Sequence, residues 1–130
     1  SLLVASLVPL RLRLTALLHD AAEAYLGDMV KPLKQCFPEF SEMEAKVMTI
    51  IGKRFGIEAF TDPAIKRADM IALATEKRDL MPNSTESWPS LRGLQPTPTR
   101  IVPMAPVEAK AAFLETFRLL AAGEGNRHAA

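Results

Sequence analysis

The chain has 130 residues, of which 48% are hydrophobic and 24% charged, with a formal net charge of +1. That length fits one domain with room for a real core, and the composition excludes a disordered polymer. So even a charge balance leaves no electrostatic footprint for nucleic acid or for a membrane surface.

The single cysteine, Cys36, excludes an internal disulfide framework and points to a reducing compartment, the cytoplasm. It reads as a small, half-buried residue. The opening SLLVASLVPL is apolar but gives way to Arg11, too soon for a membrane span, and no basic segment or cleavage site makes it a signal peptide. The chain starts in mid-pattern without an initiator Met, as a fragment would, and residues 1–8 read as the tail of a helix that begins upstream.

Pro9 breaks that pattern and suits the first turn of a next helix, which the spacing carries through RLRLTALLHDAAEAYL to Gly27 as a left-handed cap. DMVKPLKQCFPEF, with Pro32 and Pro38, reads as turn or short helix. Ser41-Glu42-Met43-Glu44 has the form of a capping box, and the helix it opens has Met43, Val47, Ile50, Ile51 and Phe55 as apolar positions and stops at Gly56. Asp62-Pro63 opens another helix, AIKRADMIALATEKRDLM, which runs to Pro82. Six of the ten prolines fall between Pro82 and Pro106, together with Trp88 and Gly93, so this stretch is expected to be a loop before the last helix. That helix, VEAKAAFLETFRLLAA, presents Val107, Ala111, Phe113, Leu114, Phe117 and Leu120 on its apolar side, and residues 123–130 form a flexible tail. With no alternating segment and no repeat, residues 1–130 read as a single all-α domain, a compact helical bundle.

Within this pattern TALLHDAAEAYLGDMVKP interrupts an apolar run with His19-Asp20 and then carries Glu23 and Asp28. On a helix His19 and Glu23 share a face, with Asp20 beside Glu23. The flanking Leu17, Leu18, Ala21, Ala22 and Ala24 are apolar, and an unpaired carboxylate among them costs several kcal/mol or more, so Asp20 needs a partner. A divalent ion would serve, since imidazole nitrogen and carboxylate oxygen suit Mn, Fe, Co, Ni or Zn. A solvent-facing HDxxE would need no metal. Asp69, bracketed by Ile65, Ala68, Ala72 and Leu73, lies on or near a buried face, whereas Glu76, Lys77, Arg78 and Asp79 read as a solvated run. A carboxylate on one helix opposite a His-Asp pair on another is how a bundle holds a metal. Alternatively, Asp69 pairs with Lys66 or Arg67.

LLHDAAEAYLGDMVKPLK followed by IKRADMIALATEKRDLM resembles the HD-domain phosphohydrolases, in particular the branch of bacterial 5′-deoxynucleotidases and phage deoxynucleoside triphosphohydrolases. The resemblance covers most of the chain and implies an HD-type bundle with a divalent metal, Mn, Co, Zn, Fe, Ni or Mg. Carried over residue by residue, it makes His19, Asp20 and Asp69 metal ligands, Glu23 the general acid/base, and Asp28 a contact to the sugar hydroxyl or an orienter of water. The family's first histidine is expected immediately before Ser1; the tail residue His128 is a poor substitute.

These roles agree with the chemistry. A metal polarises a phosphoryl oxygen and lowers the pKa of water, and a carboxylic acid one turn away protonates the departing oxygen. Lys31 and Lys34 suit phosphate as point charges or are ordinary surface lysines. Trp88 suits base stacking or packing.

The expected activity is that of a metal-dependent phosphohydrolase on (deoxy)nucleotides, with a small-molecule nucleotide as partner, no nucleic acid, no membrane, and a homo-oligomer, dimer or larger, as the family implies. A non-catalytic helical module that senses nucleotides or acts as a scaffold, with a degenerate HD core, is the alternative. A zinc peptidase is excluded because position 23 is Glu where its helix needs a second histidine.

Overall fold

The computed structural model describes residues 1–81 and 88–125, the side chains of Lys31 and Glu124 apart; Pro82, the start of the proline-rich stretch, and His128 therefore lie outside the described residues. Among them are seven α-helices and no strand: α1 (Leu2–Ser6), α2 (Arg13–Leu17), α3 (Glu23–Leu26), α4 (Lys31–Lys34), α5 (Pro38–Phe55), α6 (Pro63–Leu80) and α7 (Pro106–Gly125). None of these helices is long and apolar enough to cross a membrane.

Val4, Ala5 and Val8 around α1, Ala16 and Leu17 of α2, and Ile65, Ala68 and Ala72 of α6 form one buried cluster. Phe113, Phe117 and Leu120 of α7 pack against it. Side chains buried as fully as Leu17 and Ile65 each stabilise the fold by about 1.5–3 kcal/mol. Phe117 also meets Phe55 of α5 edge-on, with ring centroids 5.2 Å apart, which ties α5 to α7.

The α6 start matches the sequence pattern. Asp62 accepts a hydrogen bond from the Ala64 N–H at 2.8 Å, and Pro63 occupies the first turn. Helix α5 also ends as expected, at Gly56 in the left-handed region (φ 68°, ψ 27°). Its beginning differs. Pro38 opens the helix after Phe37, so Ser41 lies inside it and caps nothing. A proline at the first helical position has its φ already set and no N–H to satisfy, which starts the helix ahead of the capping-box pattern. On α5 the expected apolar positions Met43 and Ile50 are exposed, and on α7 so are Val107, Ala111 and Leu114. Helix α7 runs through Gly125, past the expected start of the tail at 123. Cys36 is exposed, not half-buried.

Local contacts fasten the C-terminal ends of both α5 and α6. The Gly52 carbonyl accepts from the Gly56 and Ile57 N–H groups, folding residues 57–60 back onto α5. A Cβ at position 52 would lie 2.6 Å from the Ile57 carbonyl oxygen, so only glycine permits this approach. Toward the end of α6, the fully buried Thr75 hydroxyl donates to the Ile71 carbonyl and accepts from the Thr97 N–H. Arg78 donates to the Thr97 and Thr99 carbonyls, and Asp79 accepts from the Ile101 N–H at 2.8 Å. Asp79 is therefore not part of a solvated run. Its side chain is 3% exposed, under a thin cover of Arg78 and loop backbone rather than in the core.

Candidate metal centre

The segment expected to continue one helix from Pro9 to Gly27 is broken. A 3-10 turn over Leu10–Leu12 leads into α2, which ends at Leu17, and residues 18–22 are turns before α3. The cause is local. His19 Nδ1 lies 2.7 Å from the Ala16 carbonyl oxygen, and because a carbonyl can only accept, Nδ1 carries the proton. In a continuing helix that carbonyl would accept from the backbone of residue 20. The side chain takes it instead, and the following bonds tighten to Ala21 N–H to Leu18 and Glu23 N–H to Asp20. Gly27 closes α3 with φ 76° and ψ 166°, a region open essentially to glycine alone and distinct from the expected left-handed cap.

With Nδ1 committed, the lone pair of the neutral ring sits on Nε2. That atom lies 2.8 Å from Asp20 Oδ2 and 3.5 Å from Asp69 Oδ1, which α6 brings in from the far side. Despite this proximity Nε2 is buried and makes no hydrogen bond, the carboxylate oxygens lying off the line a hydrogen bond needs. The ligand atoms of His19, Asp20 and Asp69 all fall within 4.8 Å of one another. Exposed carboxylates often cluster without any ion, and Asp20 and Asp69 are 45% and 51% exposed. The His19 ring, 10% exposed, distinguishes this group: its tautomer is fixed by a backbone carbonyl and its other nitrogen faces two oxygen donors. The donor set fits a divalent transition ion.

The charges act on one another. Burial lowers the His19 pKa, but the two carboxylates outweigh it and raise it to about 9, so near neutral pH the ring without an ion is a cation, and a metal taking Nε2 would displace that proton. The close approach of His19 lowers the Asp69 pKa against its partial burial. Glu23, at the first position of α3, is pushed up by burial and further by the Asp20 and Asp28 charges.

His19, Asp20 and Glu23 line a cleft of about 860 Å³ with Lys34, while Glu44, Lys53 and the apolar Met48, Ile57 and Phe60 form its other wall. Asp28 is exposed in the irregular stretch after α3 and does not line the cleft, though its charge raises Glu23. Lys34 is paired with Glu44 at 2.8 Å. The Lys31 side chain lies outside the described residues. Trp88 does not line this cleft; the Lys77 ammonium sits 4.8 Å from its ring centroid. Sequence reasoning missed Lys53 altogether and assigned Glu44 to a cap. The only sign of Glu44's role in the sequence was an acidic residue on the same helix turn as Ser41, both of which line the cleft.

Two curated proteins match most of the chain. The uncharacterized protein YfdR of Escherichia coli K12 is 38% identical over 118 residues, which is 90% of this chain and 66% of that protein. This chain is similar to YfdR. An uncharacterized protein of Rhodobacter capsulatus is 32% identical over 120 residues, covering 85% of this chain and 61% of that relative. The chain thus spans less than two thirds of the length of either relative. No family model matches it, and no solved structure does. The similarity to YfdR covers nearly all of this chain but brings no activity with it.

Proposed function

We propose that this protein is a metal-dependent phosphohydrolase of the HD-domain type acting on (deoxy)nucleotides, like the 5′-deoxynucleotidases or the deoxynucleoside triphosphohydrolases. The observation that carries this reading is His19, with Nδ1 held by Ala16 and a buried, unbonded Nε2 facing the Asp20 and Asp69 carboxylates. Those three residues would hold a divalent ion, which supplies Lewis acidity toward a phosphoryl oxygen.

The chain's own residues supply the rest. Glu23, raised in pKa by burial and by neighbouring negative charge, keeps a proton nearer neutrality than an ordinary carboxyl does, as a group that protonates a departing oxygen must. Asp28, whose charge reaches Glu23, would orient water or a sugar hydroxyl from the rim of the cleft. Lys34 faces the same cleft and meets phosphate as a point charge.

The test is phosphate release from a panel of nucleoside mono- and triphosphates with Mn, Co or Zn added. Release of inorganic phosphate marks a monophosphatase, and release of triphosphate a triphosphohydrolase. Chelator and Asp20→Ala should abolish either. Full activity in metal-free protein would sink the reading, and metal-dependent nucleotide binding without turnover would leave a sensing or scaffolding module.

A further inference from the structure

Lys34 and Glu44 reach into the cleft from α4 and α5. The Lys34 ammonium lies 2.8 and 3.0 Å from the two Glu44 carboxylate oxygens, so both oxygens of one anion rest on one cation. The two side chains are 27% and 25% exposed, screened enough for the pair to persist and open enough to exchange. Both line the cavity that His19, Asp20 and Glu23 line. A phosphate would present that ammonium with the same arrangement of paired oxygens.

We propose that Glu44 is a built-in competitor: its carboxylate fills an oxyanion subsite at Lys34, and the phosphate of a ligand enters only by displacing it. The inference rests on Lys34 as a phosphate contact and extends it to how that contact is regulated. Around the cleft stand Asp20, Glu23, Glu44 and Glu58 against His19, Lys34 and Lys53, so the acidic groups outnumber the cations that an anion could use there. Moving Glu44 off Lys34 exposes the cation at the moment of binding. Its return to Lys34 displaces the product anion, which holds product inhibition down.

The pair has a simpler role available to it, bracing the four-residue α4 against α5. A titration of inorganic phosphate into the protein as purified, read by calorimetry or 31P NMR, separates the two. Glu44→Gln should bind phosphate about threefold to fivefold more tightly than the native chain, the range expected when a partly exposed ion pair no longer competes. Lys34→Gln should bind it more weakly, and the double variant should lose the gain. If Glu44→Gln does not fold, Glu44→Asp, one methylene shorter, should show a smaller gain in the same direction. Unchanged or weaker affinity in Glu44→Gln, no binding by either protein, or a lower unfolding midpoint with equal phosphate affinity would overturn the proposal in favour of a brace. Phosphate binding is measured without turnover, so its failure stays distinct from failure of the hydrolase reading.

Discussion

Asp69 Oδ1 lies 3.5 Å from His19 Nε2, and this contact joins α6 to the turn after α2. Neither residue is placed by its own element alone. Helices α2 and α6 share the buried cluster around Val4, Ile65 and Leu17, and that packing sets the distance between the imidazole and the distant carboxylate. The centre is thus tertiary, and its residues can be tested one at a time without removing a core side chain.

Removing either carboxylate should strip the centre of metal while leaving the fold. Asp20→Ala and Asp69→Ala should each weaken Mn or Zn binding by more than about 100-fold, since even outer-shell changes cost 10- to 100-fold. Equilibrium dialysis measures the affinity, and far-UV circular dichroism should be unchanged. Native-like affinity in both variants would remove the metal centre.

Glu23→Gln separates proton transfer from metal binding. The amide keeps the shape but carries no transferable proton, so kcat should fall by about 100- to 10,000-fold while metal affinity holds. A large loss of metal together with activity would instead make Glu23 a ligand.

Gly52→Ala should destabilise the protein by about 1–3 kcal/mol, because the added methyl meets the Ile57 backbone carbonyl and not a side chain that can turn aside. Urea unfolding gives the value. A neutral result would mean that residues 57–60 do not pack closely on α5.

Asp79 gives the acid side of the stability profile. Arg78, and then the Ile101 N–H, hold its carboxyl at about 2, below the ordinary 3.8. A depressed folded pKa contributes stability above the unfolded value, and that contribution is lost as pH falls from 3.8 toward 2. Asp79→Asn should flatten this part of the profile and speed hydrogen exchange at Ile101. A profile identical to that of the native chain would show that the pair is not maintained in solution.

The sequence made some of this legible and hid the rest for identifiable reasons. Asp62-Pro63 and Gly56 act within one turn of themselves, so their caps are read directly from the chain. The bracket of Ile65, Ala68 and Ala72 likewise places Asp69 beside the core. Helical periodicity cannot show that the His19 side chain takes the Ala16 carbonyl, and so it carries the helix straight through a turn. Asp79 reads as solvated because the Ile101 N–H that it accepts from lies 22 positions away, and Glu44 reads as a cap because Lys34 precedes it by ten. Such pairings arise only when separate segments of the chain meet.

The break at His19 also bears on the order of events in folding. Helix α2 has five residues and α3 four, whereas isolated helices below about 12–15 residues are marginal in water. The turn between them has no stable local scaffold and depends on the packing of α2 against α1 and α7. An ion held there would stabilise a contact that depends on that packing, and where the contact is absent from the folding transition state it would slow unfolding more than it changes the folding rate. Occupancy of the centre would then be visible as kinetic persistence, a longer lifetime of the native chain under protease or denaturant.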